Sequence, residues 1–179
     1  MKNIEVRICG RDDVPLLAAV GSRVFKETYG EFSDPADLAA HVEENFSERA
    51  IAKEISRSTV RYFMAEVSET CAGLVKLRQA PGPDLLPTEN VFEVQQLYIS
   101  ADFQRRGVGR LLLDTAAAHA RSKGADGLFL SVWSEAEWAL SFYRKYGFET
   151  LGEIPFRLGE AVYVDLLMWL PLPESAEER

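Results

Sequence analysis

"VFEVQQLYISADFQRRGVGRLLLDTAAAHA" occupies residues 91–120. Its first ten residues are rich in β-branched and aromatic side chains and predict a strand. Its last thirteen predict a helix: Val108, Leu111, Leu112, Thr115, Ala116 and His119 fall on one face that should pack on a sheet. Between the two stands Q-R-R-G-V-G-R, residues 104–110. Glycine at 107 and 109 lets successive backbone N–H groups point the same way. The uncapped first turn of the helix, with its dipole behind it, favours an anion at that spot. Arg105, Arg106 and Arg110 crowd the helix end that repels cations unless something anionic is bound. The alternative is a surface turn with incidental arginines.

The identity of the anion narrows by elimination. A nucleoside-triphosphate loop needs Lys-Ser/Thr after its glycine, and Gly109 is followed by Arg110 and Leu111. A dinucleotide fingerprint needs a third glycine where Leu112 stands, within continued βα alternation. A pyrophosphate without a reacting γ-phosphate remains.

Working outward, residues 4–9 alternate as a strand, and a helix follows Asp12 or Asp13 to about residue 27. A loop over 28–35 leads to a helix that starts at Asp34–Pro35, and Ser47 caps a further short helix. Two strands around a polar turn at Glu69 read as a hairpin, and residues 81–90 as a mobile loop. "GLFLSVW" (127–133) reads as a strand buried on both faces. Ser134 and Glu137 have capping-box spacing for a helix that stops at Gly147, and a last strand pair surrounds "RLGE". Helices between strands at both ends argue for an α/β or α+β layer architecture. One domain over 1–170 is expected, with a polar tail at 171–179.

With 179 residues and a formal net charge of −8, the chain is ordinary in size and acidic. Acidity argues against nucleic-acid binding, which needs a basic face. No run of about 18 apolar residues predicts a membrane span, and no signal-peptide core is present, so a cytoplasmic location is expected. Two scattered cysteines and two histidines give no metal-site spacing. His119 reads as structural and His41 as a surface residue.

"VQQLYISADFQRRGVGRLLLDTA" followed by "LSVWSEAEWALSFYRKYGFE" resembles the GNAT acetyltransferases. That family has a Q/R-x-x-G-x-G/A turn after a central strand and an A-x-x-FY-x-x-x-GF helix about thirty residues later. The resemblance implies a mixed, strongly bent sheet of six or seven strands with about four helices. Two central parallel strands, at 91–99 and 128–133, would splay into a V. It also implies acetyl-CoA as donor. The pyrophosphate would rest on Gln104, Arg105, Arg106, Gly107, Val108, Gly109 and Arg110, with pantetheine beside Leu97, Tyr98 and Ile99. The family often has asparagine where this chain has Ala136, so that pantetheine contact is either lost or supplied from elsewhere, with Ser134 the candidate; Ser134 and Ala136 are both expected beside the cofactor.

Acetyl transfer from a thioester to an amine needs a base for the ammonium proton and an acid for the departing thiolate. Glu93 is the candidate base, expected to share a strand face with Gln95 and Leu97. Its alternative is a salt-bridged strand carboxylate. Tyr143 is the candidate acid, on the helix face of Ala136 and Ala139 and so also beside pantetheine. Its alternative is a packed tyrosine.

Residues 27–54 hold eight acids against two bases, a net of −6. This suits a cationic acceptor, or else is a solvated face. "FKETYGEFSDPADLAAHVEENFS" and "FRLGEAVYVDLLM" resemble the bacterial spermidine/spermine N-acetyltransferases of the PaiA type. That likeness implies a polyamine acceptor held by Glu27, Tyr29, Glu31, Asp34 and Gln95. Acetylation of protein N-termini or other small amines, and a non-catalytic acetyl-CoA sensor, stay open as alternatives. The apolar last strand is a candidate for pairing in a homodimer.

Overall fold

A computed structural model describes residues 4–173. One mixed sheet runs β1-β2-β3-β4-β5-β7-β6. Its strands are β1 (Glu5–Ile8), β2 (Val60–Val67), β3 (Thr70–Gln79), β4 (Val91–Ile99), β5 (Gly127–Trp133), β6 (Glu149–Leu158) and β7 (Ala161–Pro171). The helices are α1 (Val14–Tyr29), α2 (Pro35–Phe46), α3 (Glu48–Ile55), α4 (Val108–Ser122) and α5 (Glu137–Tyr146).

Local chemistry fixes the helix starts. The Asp34 carboxylate accepts from the N–H groups of Ala36 and Asp37 at 2.8 and 3.3 Å, and Pro35 takes the position that needs no N–H. Ser47 Oγ accepts from Ala50 N at 3.3 Å and starts α3. The β2–β3 hairpin turns on Ser68 and Glu69, both left-handed at φ 51° and 62°.

Two layers cover the sheet. On one face α4 and α5 enclose Val75, Leu77, Phe92, Val94, Leu112, Ala116, Leu128 and Leu140. Leu112 is wholly buried, and such a side chain contributes about 1.5–3 kcal/mol. On the other face α1 and α3 pack Leu17, Val20 and Ile51 against Tyr62, Met64 and Leu74. His119 meets Phe63 and Phe92 edge to face at 5.4 and 5.9 Å, the structural role its helix face predicts.

Between β4 and β5 the ladder has three rungs: Val91 with Gly127, Phe92 with Leu128, Glu93 with Phe129. Beyond Glu93 the two parallel strands part, which is the V expected from the resemblance. A second irregularity lies in β4 itself. Lys76 of β3 stands opposite Gln96, and Leu77 opposite Val94, so Gln95 has no partner in the ladder and forms a bulge.

Several expectations need correction. The bulge shifts the alternation, so Glu93 does not share a face with Leu97. Glu93 lies opposite Arg78 on the α1–α3 face, whereas Leu97 lies opposite Val75 on the α4 face. Ser134 does not cap α5: the helix starts at Glu137 after Ala136, with no side-chain cap. β7 is bonded on both sides, by β5 and β6, so it has no free edge for a partner strand. The loop before α2 is shorter than expected because α1 continues to Tyr29. Loop residue Leu86 packs on the cluster of Val91, Phe129, Leu167 and Trp169. Leu172, expected in the tail, is buried and donates its N–H to Asp126 O at 2.8 Å. The rest of that tail, 174–179, lies outside the described residues.

Candidate active site

The cradle at the start of α4 is built as its sequence demands. Gly107 is left-handed at φ 84° and ends the turn, and Arg105 is also left-handed at φ 61°. Helix α4 has no side-chain cap, so the first N–H groups of the helix, from Val108 to Arg110, face outward with no intrahelical acceptor. A Cβ on Gly107 would meet nothing within 4 Å, so glycine is required there by its backbone angle. Gly109 is different. A Cβ there would stand 3.0 Å from Phe142 Cζ, so its hydrogen lets α5 approach α4.

The arginines are exposed around this end. Arg106 lies over Phe103 at 5.7 Å, and Arg110 reaches Asp114 at 3.9 Å. Gln104 Nε2 donates to Ile99 O at 3.4 Å, tying the turn to the end of β4. Uncapped N–H groups, a left-handed glycine and exposed cationic side chains together fit a pyrophosphate.

Glu93 sits on the last rung before the strands part. Arg78 donates to its Oε2 twice, from Nε at 2.9 Å and Nη2 at 2.6 Å. The strand carboxylate is thus held in an ion pair at the closed end of the V. Tyr143 approaches from the other face, packed against Phe142 and Phe148 at 5.3 and 5.7 Å. Burial pushes its hydroxyl above the ordinary phenol range. Ala139 beneath it is buried, while Ala136 and Ser134 lie at the mouth of β5, the Ser134 N–H donating to Val164 O at 3.0 Å. Leu97 and Ile99 pack on the α4-side core, and Tyr98 faces α1, where the Arg23 guanidinium lies 5.1 Å above its ring and donates to its hydroxyl.

The expected acceptor residues do not form one acidic surface. Asp34 is engaged as the cap of α2, and Glu54 is bound to Lys76. Glu43 and Glu44 line a trough with Arg49, Lys53 and Arg57 between α2 and α3, where bases offset the acids. Glu27 pairs loosely with Arg23 at 3.9 Å, and Glu31 is exposed just beyond α1. Gln95, in the bulge, buries an Oε1 that has no hydrogen-bond partner among the described residues.

Sequence reasoning named Tyr29 but missed the aromatic wall around it. Tyr29 stands 6.3 Å from Trp133, 5.3 Å from Phe156 and 5.3 Å from Tyr163. Phe25 stacks on His41 at 4.3 Å. His41 is therefore half-buried in this wall, not a surface residue, and burial lowers its basicity. Tyr163 Oη donates to Phe32 O at 3.0 Å and lies 2.8 Å from Ser33 Oγ, fastening the α1–α2 loop over β7. The signal was present in "FETLGEIPF" and "AVYVDLLMWL", where Phe156 and Tyr163 fall on one face. Only the β6–β7 register makes them neighbours.

A splayed parallel pair, an anion cradle at the start of α4 and a half-buried tyrosine on α5 are the parts that an acyl-transfer cleft for a phosphorylated donor needs. The chain belongs to the acetyltransferase (GNAT) family, whose model matches residues 24–148. It is an acetyl-CoA-dependent N-acetyltransferase. It is 27% identical over 168 residues to an uncharacterized N-acetyltransferase of Lactobacillus delbrueckii subsp. lactis, covering 94% of this chain and 97% of the relative. It is 24% identical over 151 residues to a spermidine N(1)-acetyltransferase of Thermoplasma acidophilum, covering 82% and 89%. Its fold matches the crystal structure of the PaiA N-acetyltransferase of Thermoplasma acidophilum in complex with coenzyme A. That match has a TM-score of 0.73 and 23% identity, and covers 94% of this chain and 99% of the other. Among the described residues no helix is long and apolar enough to cross a membrane.

Proposed function

We propose that this enzyme acetylates a primary amine of a polyamine such as spermidine or spermine. The observation that carries this reading is the composition of the acceptor side of the cleft. The wall between α1 and β6–β7 is aromatic, and Glu27 near the end of α1 and Glu31 just beyond it are exposed carboxylates. Methylene chains fit the first and ammonium groups the second. The likeness to a spermidine acetyltransferase at 24% identity supports it.

Acetyl-CoA supplies a thioester carbonyl open to attack by a neutral amine. The chain's own residues do the rest. Gln104–Gly109 and Arg110 hold the pyrophosphate, and Leu97, Tyr98 and Ile99 line the pantetheine path. Ala139, with Ala136 and Ser134, leaves room on the α5 side. Glu93, with Oε2 held by Arg78, keeps Oε1 to receive the ammonium proton directly or through water. Tyr143 keeps a neutral phenol and so has a proton to give to sulfur. The arrival of the acid and the base from opposite faces matches a reaction that passes through the gap between β4 and β5.

The test is release of free thiol from acetyl-CoA with spermidine, spermine, butylamine and a short peptide amine as acceptors. Spermidine or spermine is expected to give the highest kcat/KM. A peptide in first place, or no thiol release with either polyamine, would sink the polyamine reading.

A further inference from the structure

Asp165 is 6% exposed, and its Oδ1 has no hydrogen-bond partner among the described residues. A buried carboxylate of this kind is expensive unless a cation joins it. The register places it where such a cation could come from outside. Asp165 lies opposite Trp133 on β5 and Ile154 on β6, so it shares a sheet face with Trp133, Phe156 and Tyr163. Tyr29 closes that face from α1, and the charge of Asp165 adds to burial in raising its hydroxyl above the ordinary phenol range. Burial raises Asp165 itself above the usual carboxyl range, offset in part by Ser131 on the adjacent strand. The hydroxyl of Tyr163 is engaged elsewhere, bound to Phe32 O and Ser33 Oγ. Among the rings of the wall, His41, Tyr29 and Tyr163 are titratable, and none of them is a standing cation.

We propose that Asp165, with Tyr29, Trp133, Phe156 and Tyr163 around it, forms a subsite for the second, non-reacting ammonium of an alkyl diamine or polyamine. Carboxylate and aromatic faces together are what a cation on a methylene chain requires: an ion pair at the head, and ring faces for the head and the stem. The place suits the distal group. Asp165 lies four residues of β5 beyond the Glu93–Phe129 rung, roughly 13 Å along the strand at the usual rise, and one strand further out. The reacting amine is bound nearer the point where the strands part. The α1–α2 loop is fastened to Tyr163 of this face, and the burial of Asp165 itself strengthens the pair. This assignment rests on the amine-acetyltransferase reading and specifies where its acceptor is recognised.

The experiment measures binding and turnover separately on the full chain. Calorimetry titrates spermidine, 1,4-diaminobutane and butylamine into the enzyme saturated with coenzyme A, for the natural chain, Asp165→Asn, Asp165→Glu and Trp133→Leu. A parallel thiol-release assay gives kcat and KM for the same amines. Asp165→Asn is expected to weaken binding of both polycations at least tenfold, and to raise KM for them at least tenfold more than for butylamine. Its coenzyme A affinity and thermal midpoint should not fall. The conservative variant Asp165→Glu should keep part of the affinity that Asp165→Asn loses, and Trp133→Leu should weaken the polycations threefold or more. Asp165→Asn that binds spermidine like the natural chain, or that loses all amines equally, overturns the subsite, as does a natural chain that binds no polycation. Binding that depends on Asp165 without any thiol release would keep the subsite and overturn the polyamine acetylation reading.

Discussion

Lys76 on β3 and Asp165 on β7 stand on the same face of the sheet, on opposite walls of the cleft. They are 5% and 6% exposed, the two buried charged side chains among the described residues. Lys76 is provided for within the chain. Its Nζ bonds Glu54 Oε2 at 2.6 Å and lies 5.5 Å from the centre of the Tyr62 ring, whose hydroxyl donates to the same carboxylate at 3.2 Å. Asp165 has an aromatic wall too, but no cation. The difference separates a charge that joins α3 to the sheet from a charge left open to a ligand. Burial opposes ionisation in both, lowering the basicity of Lys76 and raising the Asp165 carboxyl. The partner, not the burial, distinguishes them.

The comparison breaks hardest by removing the partner that exists. Glu54→Ala leaves Lys76 buried and unpaired, and a cost of roughly 3 kcal/mol in urea unfolding is expected, as for other broken buried pairs. If Glu54→Ala and Asp165→Asn have the same effect on stability, the two walls do not differ in the way described. A control on the opposite face is Tyr143→Phe. It keeps the packing on Phe142 and Phe148 and should reduce kcat by roughly 10²-fold, with coenzyme A affinity unchanged. Full activity in that variant would leave Tyr143 with a packing role.

A smaller effect is expected in pH dependence. The folded-state value of Asp165 is raised, so its contribution to stability is present while the carboxyl is protonated and is lost as pH rises through the raised value. The stability of the natural chain relative to Asp165→Asn should therefore fall as pH increases from about 4 upward, and spermidine should reverse the fall. Paired urea titrations across that range measure the difference. A gap that does not change with pH would mean that Asp165 is already paired or solvated. The smallest effect belongs to the exposed acids. Neutralising Glu27 and Glu31 together should raise the KM for spermidine by only a few-fold, because each exposed pair is worth under about 1 kcal/mol. The effect should vanish at high salt.

The glycine-turn half of the cleft is legible in the sequence because it is local. Strand, glycine turn and helix are contiguous from Val91 to Ser122, and Gly107 needs only its own backbone angle. The aromatic half is not. Tyr29, Trp133, Phe156 and Asp165 come from α1, β5, β6 and β7, and only the order β5-β7-β6 brings them together. Composition also overstates the acidic segment, since Asp34 and Glu54 carry their charge into a cap and a buried pair. Asp165, in a strand of leucines and valines, reads as one polar residue in an apolar run.

The bulge at Gln95 gives β4 two phases. Before it, even-numbered Phe92 and Val94 enter the α4-side core; after it, odd-numbered Leu97 and Ile99 do. The strand therefore carries one supernumerary residue. Deleting residue 95 would leave Val94 followed directly by Gln96, in step with Leu77 and Lys76, and Leu97 and Ile99 would still enter the apolar layer. Deleting Tyr98 instead, with the bulge left in place, would bring Ile99 round to the α1 side and break the packing on α4. Residue 95 is thus the position at which the register of the strand absorbs one residue. An alignment gap placed at residue 95 keeps the α4 and α1 faces of the strand apart, and a gap slid further along the strand exchanges them.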